Sequence, residues 1–395
     1  SRGYRRLRGS GELGVQISSG EQSNSSIVYG DRLMLKIYRK VEEGLNPEVE
    51  VGRFLTERTS FDALAPFAGA LNIEINNQTM TTAVLLGYVE NEGDAWSYTL
   101  DVLASYFERL LSEPEVVEAA PIPARHPLDV ACGEIPQEAY DLVGTYLDDA
   151  ARLGERTAEL HMALASRTDD PAFAPEDFSL LNQRGLYQSM RSQTRRTLRD
   201  LRRWISILPE EVREAAEELI GREDELMARF QLLIAHRIDA QFIRTHGDFH
   251  LGQVLYTGRD FVIIDFEGEP ARPIGERRLK RPALRDVAGM LRSFDYAAVS
   301  GSFGDSAWVR EEDRERVEEW SRLWYRWVSG SFLRAYLQAS AGAAFLPTDP
   351  ADLRVLLDAY VLEKAIYEIR YEMNNRPDWV AIPIRGILDI LENVT

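Results

Sequence analysis

The stretch FIRTHGDFHLGQVLYTGRDFVIIDFEGEP, residues 242–270, is where the reading of this chain begins. Two apolar pieces, QVLY and DFVIIDF, flank the turn TGR, a pattern that predicts a β-hairpin with polar and acidic residues at both ends. Asp248 falls just ahead of the hairpin, Gln253 follows five residues later, and Asp265 closes the second strand. Phosphoryl transfer needs a set of this kind: a carboxylate that orients the attacking hydroxyl or accepts its proton, and oxygen ligands that hold magnesium against nucleotide phosphates. Asp248 suits the first task, and Gln253 with Asp265 the second. One acid at a strand end is, taken singly, more often a solvated terminus; the joint spacing of the three residues carries the reading.

Upstream, from Gly14 to Leu86, short β-branched or apolar runs separated by turn residues predict strands. They are GVQI at 14–17, SSIVYG at 25–30, RLMLKIY at 32–38, GALNIEI at 69–75 and TTAVLLGYV at 81–89. One helix interrupts the series, opening at Pro47 behind Asn46 as its cap and running through EVEVGRFLTER, with Val49, Phe54 and Leu55 on the inner face. After the polar linker ENEGD at 90–94 the patterns become helical: WSYTLDVLASYFERLL at 96–111, YDLVGTYLDDAARLGERTAELHMALAS at 140–166, and long charged helices from about 180 to about 237. Residues 112–127, SEPEVVEAAPIPARHP, read as an exposed loop. His161 and the tryptophans at 320, 324 and 327 lie on apolar helical faces and are assigned to the core.

The chain has 395 residues, 45% hydrophobic and 28% charged, enough for two or more cores. Its 64 acidic and 46 basic residues give a net charge of −18, which repels nucleic acid and anionic membrane surfaces. Cys132 is the single cysteine, so no internal disulfide forms, and the 5 histidines show no metal-ligand spacing. No apolar run is long enough for a membrane span and none follows the basic start to make a signal peptide, so a reducing cytoplasm is the expected compartment.

HGDFHLGQ followed by IIDFE resembles the catalytic and metal-binding segments of the aminoglycoside-phosphotransferase-like branch of the protein-kinase fold. The resemblance implies an α+β, bilobal, kinase-like fold: a small β-rich nucleotide-binding lobe over 1–89, and a larger, mostly helical lobe over 90–395 that carries the catalytic hairpin. It also implies ATP and Mg2+ as cofactors. Carried over residue by residue, the phosphate loop is SSGEQSNSS at 18–26, with Ser23, Asn24 and Ser25 against phosphate; the strand lysine is Lys36; and its helix acid is Glu50, with Glu48 a close rival. Adenine is expected against the linker from Leu86 to Glu90. The loop carries serine and asparagine in place of glycines, Gln253 replaces the commoner asparagine, and Glu267 stands where protein kinases have glycine, departures that argue against a protein kinase.

Within that branch the chain is similar to bacterial maltokinases over GEQSNSSIVYGDRLMLKIYRK, LGERTAELHMALA, THGDFHLGQVL, VIIDFEGEP, PALRDVAGMLRSFDYAA and EKAIYEIRYEMNNRPDWVAIPIRGI. This implies phosphorylation of maltose at its anomeric hydroxyl, giving maltose 1-phosphate for glycogen or α-glucan synthesis. The helix at 361–373 has Leu362, Ala365, Ile366, Ile369 and Met373 on one face and Lys364, Tyr367, Glu368 and Tyr371 on the other. That second face is read as a sugar site, aromatic rings meeting C–H surfaces and charges meeting hydroxyls; Trp379 either edges that pocket or staples the terminal segment to the core, and His246, counted with the sugar contacts, supports the catalytic loop by hydrogen bonding rather than transferring a proton. Asp286 is expected to anchor the same loop. Standalone relatives carry an N-terminal cap, for which only about seventeen residues are present here, and some are fused behind a trehalose synthase; the serine start suits a kinase excised from such a fusion, with that domain as partner. The rivals are a kinase for another sugar, such as glucosamine or an aminoglycoside, and a pseudokinase, whose mark would be loss of Lys36, Asp248 or Asp265.

Overall fold

The computed structural model describes residues 3–17, 24–76, 78–113, 115–119, 121–124, 126–300 and 313–392. The chain divides into two compact units, one of Ser1–Ser97, Glu159–Pro175 and Ile243–Arg281, the other of Tyr98–Ala158, Glu176–Phe242 and Pro282–Thr395. In the first unit, β1 (Val15–Ile17), β2 (Asn24–Tyr29), β3 (Leu33–Tyr38), β4 (Phe67–Ile75) and β5 (Gln78–Gly87) form one antiparallel sheet of order β1-β2-β3-β5-β4. All five strands lie where the apolar runs predict them, and the β2–β3 turn uses Gly30 at φ +59, a left-handed conformation that glycine adopts without a Cβ penalty.

Between β3 and β4 runs the helix Pro47–Arg58. Its predicted cap is present: the Asn46 side chain accepts a hydrogen bond from the Glu48 backbone N–H at 2.8 Å. The helix buries Val49, Val51, Phe54 and Leu55. Val49 joins Tyr38, Phe67, Val84 and Leu86 in the core beneath the sheet, where each large apolar side chain contributes roughly 1.5–3 kcal/mol. Phe54 stacks on Phe173 with ring centroids 3.6 Å apart, which brings the Glu159–Pro175 segment into this unit.

The two-residue strands β6 (Glu176–Asp177) and β7 (Gln241–Phe242) pair in the second unit, and β8 (Val254–Tyr256) and β9 (Phe261–Ile263) form the predicted hairpin in the first. The hairpin is tied to the linker after the sheet: Glu92 N–H donates to Tyr256 O at 2.8 Å, and Tyr256 N–H to Gly93 O at 2.9 Å. Ile263 N–H donates to Ala63 O at 2.9 Å. Composition changes at residue 90, whereas these backbone bonds group the hairpin with the sheet.

The second unit is helical, in keeping with the α+β kinase-like class. The 140–166 pattern is two helices, Gln137–Val143 and Tyr146–Leu164, because Gly144 at φ +86 ends the first. The loop read at 112–127 contains the short helix Glu115–Ala119. Trp320, Trp324 and Trp327 are buried, as expected, on the helix Arg314–Ala339. Trp324 packs 5.2 Å from the Tyr146 ring. No helix among the described residues is long and apolar enough to cross a membrane.

Gly154 lets two of these helices approach backbone to backbone, since a Cβ there would lie 2.3 Å from the carbonyl oxygen of Phe332. Because the obstacle is main chain, it cannot swing aside. Gly154→Ala is expected to destabilise the protein by about 2–3 kcal/mol, read as a lowered denaturant midpoint at unchanged slope; an unshifted midpoint would show that the helices separate freely.

Candidate active site

The loop that carries Asp248 is built around His246. This imidazole is buried; its Nδ1 accepts from the Asp248 backbone N–H at 3.4 Å and its Nε2–H donates to the carbonyl of Ile264 at 2.8 Å. Its ring packs between Phe249 and Phe266, with centroids 5.3 and 5.1 Å away. One side chain thus joins the segment carrying Asp248 to the segment carrying Asp265. This is the loop-supporting place expected of His246, and with both ring nitrogens bonded to backbone it leaves the set of sugar contacts. Gly247 turns the chain at φ +88, and a Cβ there would meet Gly268 Cα at 3.4 Å. Gln253 ends a single helical turn, and its carbonyl accepts from Ile264 N–H at 3.0 Å, beside Asp265. Asp265 has φ +64, a conformation that aspartate tolerates better than bulky residues and that strain-bearing functional positions show.

Lys36 projects from β3 into a cluster of acids. Its Nζ lies 2.6 Å from Asp265 Oδ1, 2.6 Å from Glu267 Oε1 and 3.0 Å from Glu48 Oε2. Glu48 Oε2 also accepts from the Tyr38 hydroxyl at 2.7 Å. Burial pushes the Lys36 ammonium down, but the three carboxylates outweigh it and hold the group well above the usual lysine range. Burial pushes the Glu48 carboxyl up to about 7, against the pull of Lys36, because three acids around one ammonium leave excess negative charge on the most enclosed of them. Carboxylate oxygens of Glu48, Asp265 and Glu267 lie within 4.8 Å of one another around the Lys36 ammonium, oxygen donors of the hard type that magnesium takes.

The lysine partner is therefore Glu48, and the assignment to Glu50 is corrected. Glu50 accepts a two-pronged contact from Arg278, Nε at 2.9 Å and Nη2 at 2.7 Å, and pairs with Arg244 at 2.9 Å. Burial raises its carboxyl, but these guanidinium contacts prevail and hold it below the usual range. Arg244 is itself buried, two residues before His246, so Glu50 braces the approach to the Asp248 loop. Glu50→Ala is expected to cost about 3 kcal/mol of stability by stranding Arg244, with turnover of the folded fraction changed far less than by loss of Glu48. Chemical denaturation beside active-site-normalised rates checks this; equal loss of turnover from both variants would contradict it.

Ser23, with the first part of the phosphate loop, lies outside the described residues. Asn24 is buried in β2 and donates to Glu267 Oε1 at 2.8 Å, whereas Ser25 accepts from Arg39 Nε at 3.3 Å. Glu90 is exposed in the linker. Glu267 is the site residue that the sequence reading recorded only as a departure from the protein-kinase motif.

In the second unit, the 361–373 pattern is part of the longer helix Pro350–Asn375. Tyr371 is exposed, and Lys364 lies 5.3 Å over the Tyr367 ring. Glu368 does not share their exposure: it is buried and accepts from Arg292 Nε at 2.9 Å, which corrects its placement on the open face. Glu372, one turn on, accepts two bonds from Arg376 at 2.9 and 2.7 Å and one from the Tyr296 hydroxyl at 3.1 Å. Trp379 has Arg376 4.5 Å from its ring centroid and Tyr296 stacked on it at 6.4 Å. Asp286 is buried on the helix Leu284–Ser300.

Fold and site together define a phosphotransferase of the kinase-like fold. No protein-family model matches the chain. It is 25% identical to the glucosamine kinase of Streptacidiphilus jiangxiensis over 394 residues, 96% of this chain and 74% of that one. With the glucosamine kinase of Mycolicibacterium smegmatis it shares 24% over 379 residues, 95% of this chain and 79% of the relative. Among solved structures, a glucosamine kinase in complex with glucosamine, ADP and inorganic phosphate superposes with a TM-score of 0.67 at 21% identity, covering 98% of this chain and 81% of that one, so the fold is shared.

Proposed function

We propose that the chain is an ATP-dependent sugar kinase that phosphorylates maltose at its anomeric hydroxyl, giving maltose 1-phosphate for α-glucan synthesis. The observation that carries the kinase reading is Lys36, bound to Glu48 at 3.0 Å and to Asp265 at 2.6 Å, beside a loop that presents Asp248. Asp248 orients the sugar hydroxyl and takes its proton as the phosphoryl group transfers. Lys36 and Asn24 receive nucleotide phosphate, and adenine lies against the linker from Leu86 to Glu90. Asp265 and Gln253 would hold Mg2+, which when bound would supply counter-charge for the transferring group. Positioning of the reactants supplies much of the rate.

Lys364, Tyr367, Tyr371 and Trp379 recognise the sugar. Maltose is favoured over an amino sugar by the state of the acids on that helix: Glu368 is committed to Arg292 and Glu372 to Arg376. An ammonium would have to compete with a guanidinium already in place, at a cost in desolvation. Glucosamine is the second reading, supported by the similarity to two glucosamine kinases. A cytoplasmic setting and a trehalose synthase domain, fused or associated, belong to the maltose reading.

The test is magnesium-dependent ADP release with maltose, glucosamine, glucose, trehalose and no sugar in parallel. The expected result is a kcat/KM for maltose at least about tenfold above that for glucosamine. The reverse order would keep the kinase and replace its substrate.

A further inference from the structure

One oxygen atom in the first unit has two donors that the nucleotide requires. Glu267 Oε1 accepts from Asn24 Nδ2 at 2.8 Å and lies 2.6 Å from Lys36 Nζ. On the reading above, which this inference extends, Asn24 and Lys36 are the groups that receive phosphate.

The three acids around Lys36 differ in how firmly they are held. An ammonium has three N–H donors, and three carboxylates surround this one, so a phosphate oxygen reaches it by displacing one of them. Glu48 is fixed by the Tyr38 hydroxyl on a capped, buried helix. Asp265 is set by its own backbone at φ +64 and is assigned to metal. Glu267 remains, bound through the two groups that phosphate claims.

We propose that Glu267 is an internal stand-in for phosphate: its carboxylate occupies Lys36 and Asn24 until nucleotide arrives, and it then yields both. Metal-free nucleotide meets Glu267 as a competitor of like charge, whereas a divalent cation gives the displaced carboxylate a counter-charge. Glu267 is thus a positioning residue that makes tight nucleotide binding depend on the cation.

Binding of a non-hydrolysable ATP analogue is measured by calorimetry on the full chain, in chelator and in magnesium, for wild type, Glu267→Gln and Glu267→Ala. Expected is a metal-free affinity raised about tenfold in Glu267→Gln, with a smaller ratio between the two conditions than in wild type. Circular dichroism confirms folding, and Glu267→Ala gives the same reading if the glutamine variant does not fold. Weaker or unchanged metal-free binding in a folded variant overturns the proposal, because a contact that merely supports the site can only lose affinity. A wild-type chain that binds no nucleotide in either condition overturns the kinase reading and this assignment together.

Discussion

Asp248→Asn is expected to lower kcat by three to four orders of magnitude while leaving nucleotide affinity within about threefold of wild type. The loop that carries Asp248 is held in part by other groups. His246 fixes it through the Asp248 backbone N–H and the Ile264 carbonyl, and Gly247 supplies the left-handed turn. Asparagine therefore keeps the loop and the volume and removes the proton acceptor. Loss at the chemical step appears in kcat, whereas damage to the nucleotide site appears in the affinity for ATP analogue. Residual turnover above about a tenth of wild type would take Asp248 out of the base position.

Lys36→Met is expected to abolish measurable turnover and to cost about 3–5 kcal/mol of stability, because it leaves Glu48, 2% exposed, without its countercharge. Methionine preserves the aliphatic stem, so the effect isolates the ammonium. Glu48 is the acid least able to recover solvation; Asp265 and Glu267, less enclosed, relax outward or bind cation. Urea denaturation in chelator gives the stability term, and repetition in magnesium should recover part of it if the three carboxylates bind the ion. A loss under about 1 kcal/mol would mean that Glu48 takes up a proton and stays buried at little cost.

How much of this was legible beforehand depended on the range of the interactions. The five strands, the Asn46 cap and the β8–β9 hairpin follow from alternation, turn residues and capping over a few positions, and all are present. The choice between Glu48 and Glu50 was not legible. Both sit on a helix buried on most sides, so periodicity assigns neither, and what separates them is that β3 brings Lys36 to one while Arg244 and Arg278 come to the other. Glu368 was misplaced for a similar reason: on the open side of a helical wheel, it is covered by Arg292 from another helix.

Residue types and local spacing were sufficient for the sheet and the capped helix. These rest on backbone preferences that act within one turn or one strand. Partnership among the charges came from folding alone: Lys36 meets Glu48 across 12 positions, Asp265 across 229, and Asn24 meets Glu267 across 243. Electrostatic energy depends on distance and burial, and neither exists for such pairs until the chain has closed on itself.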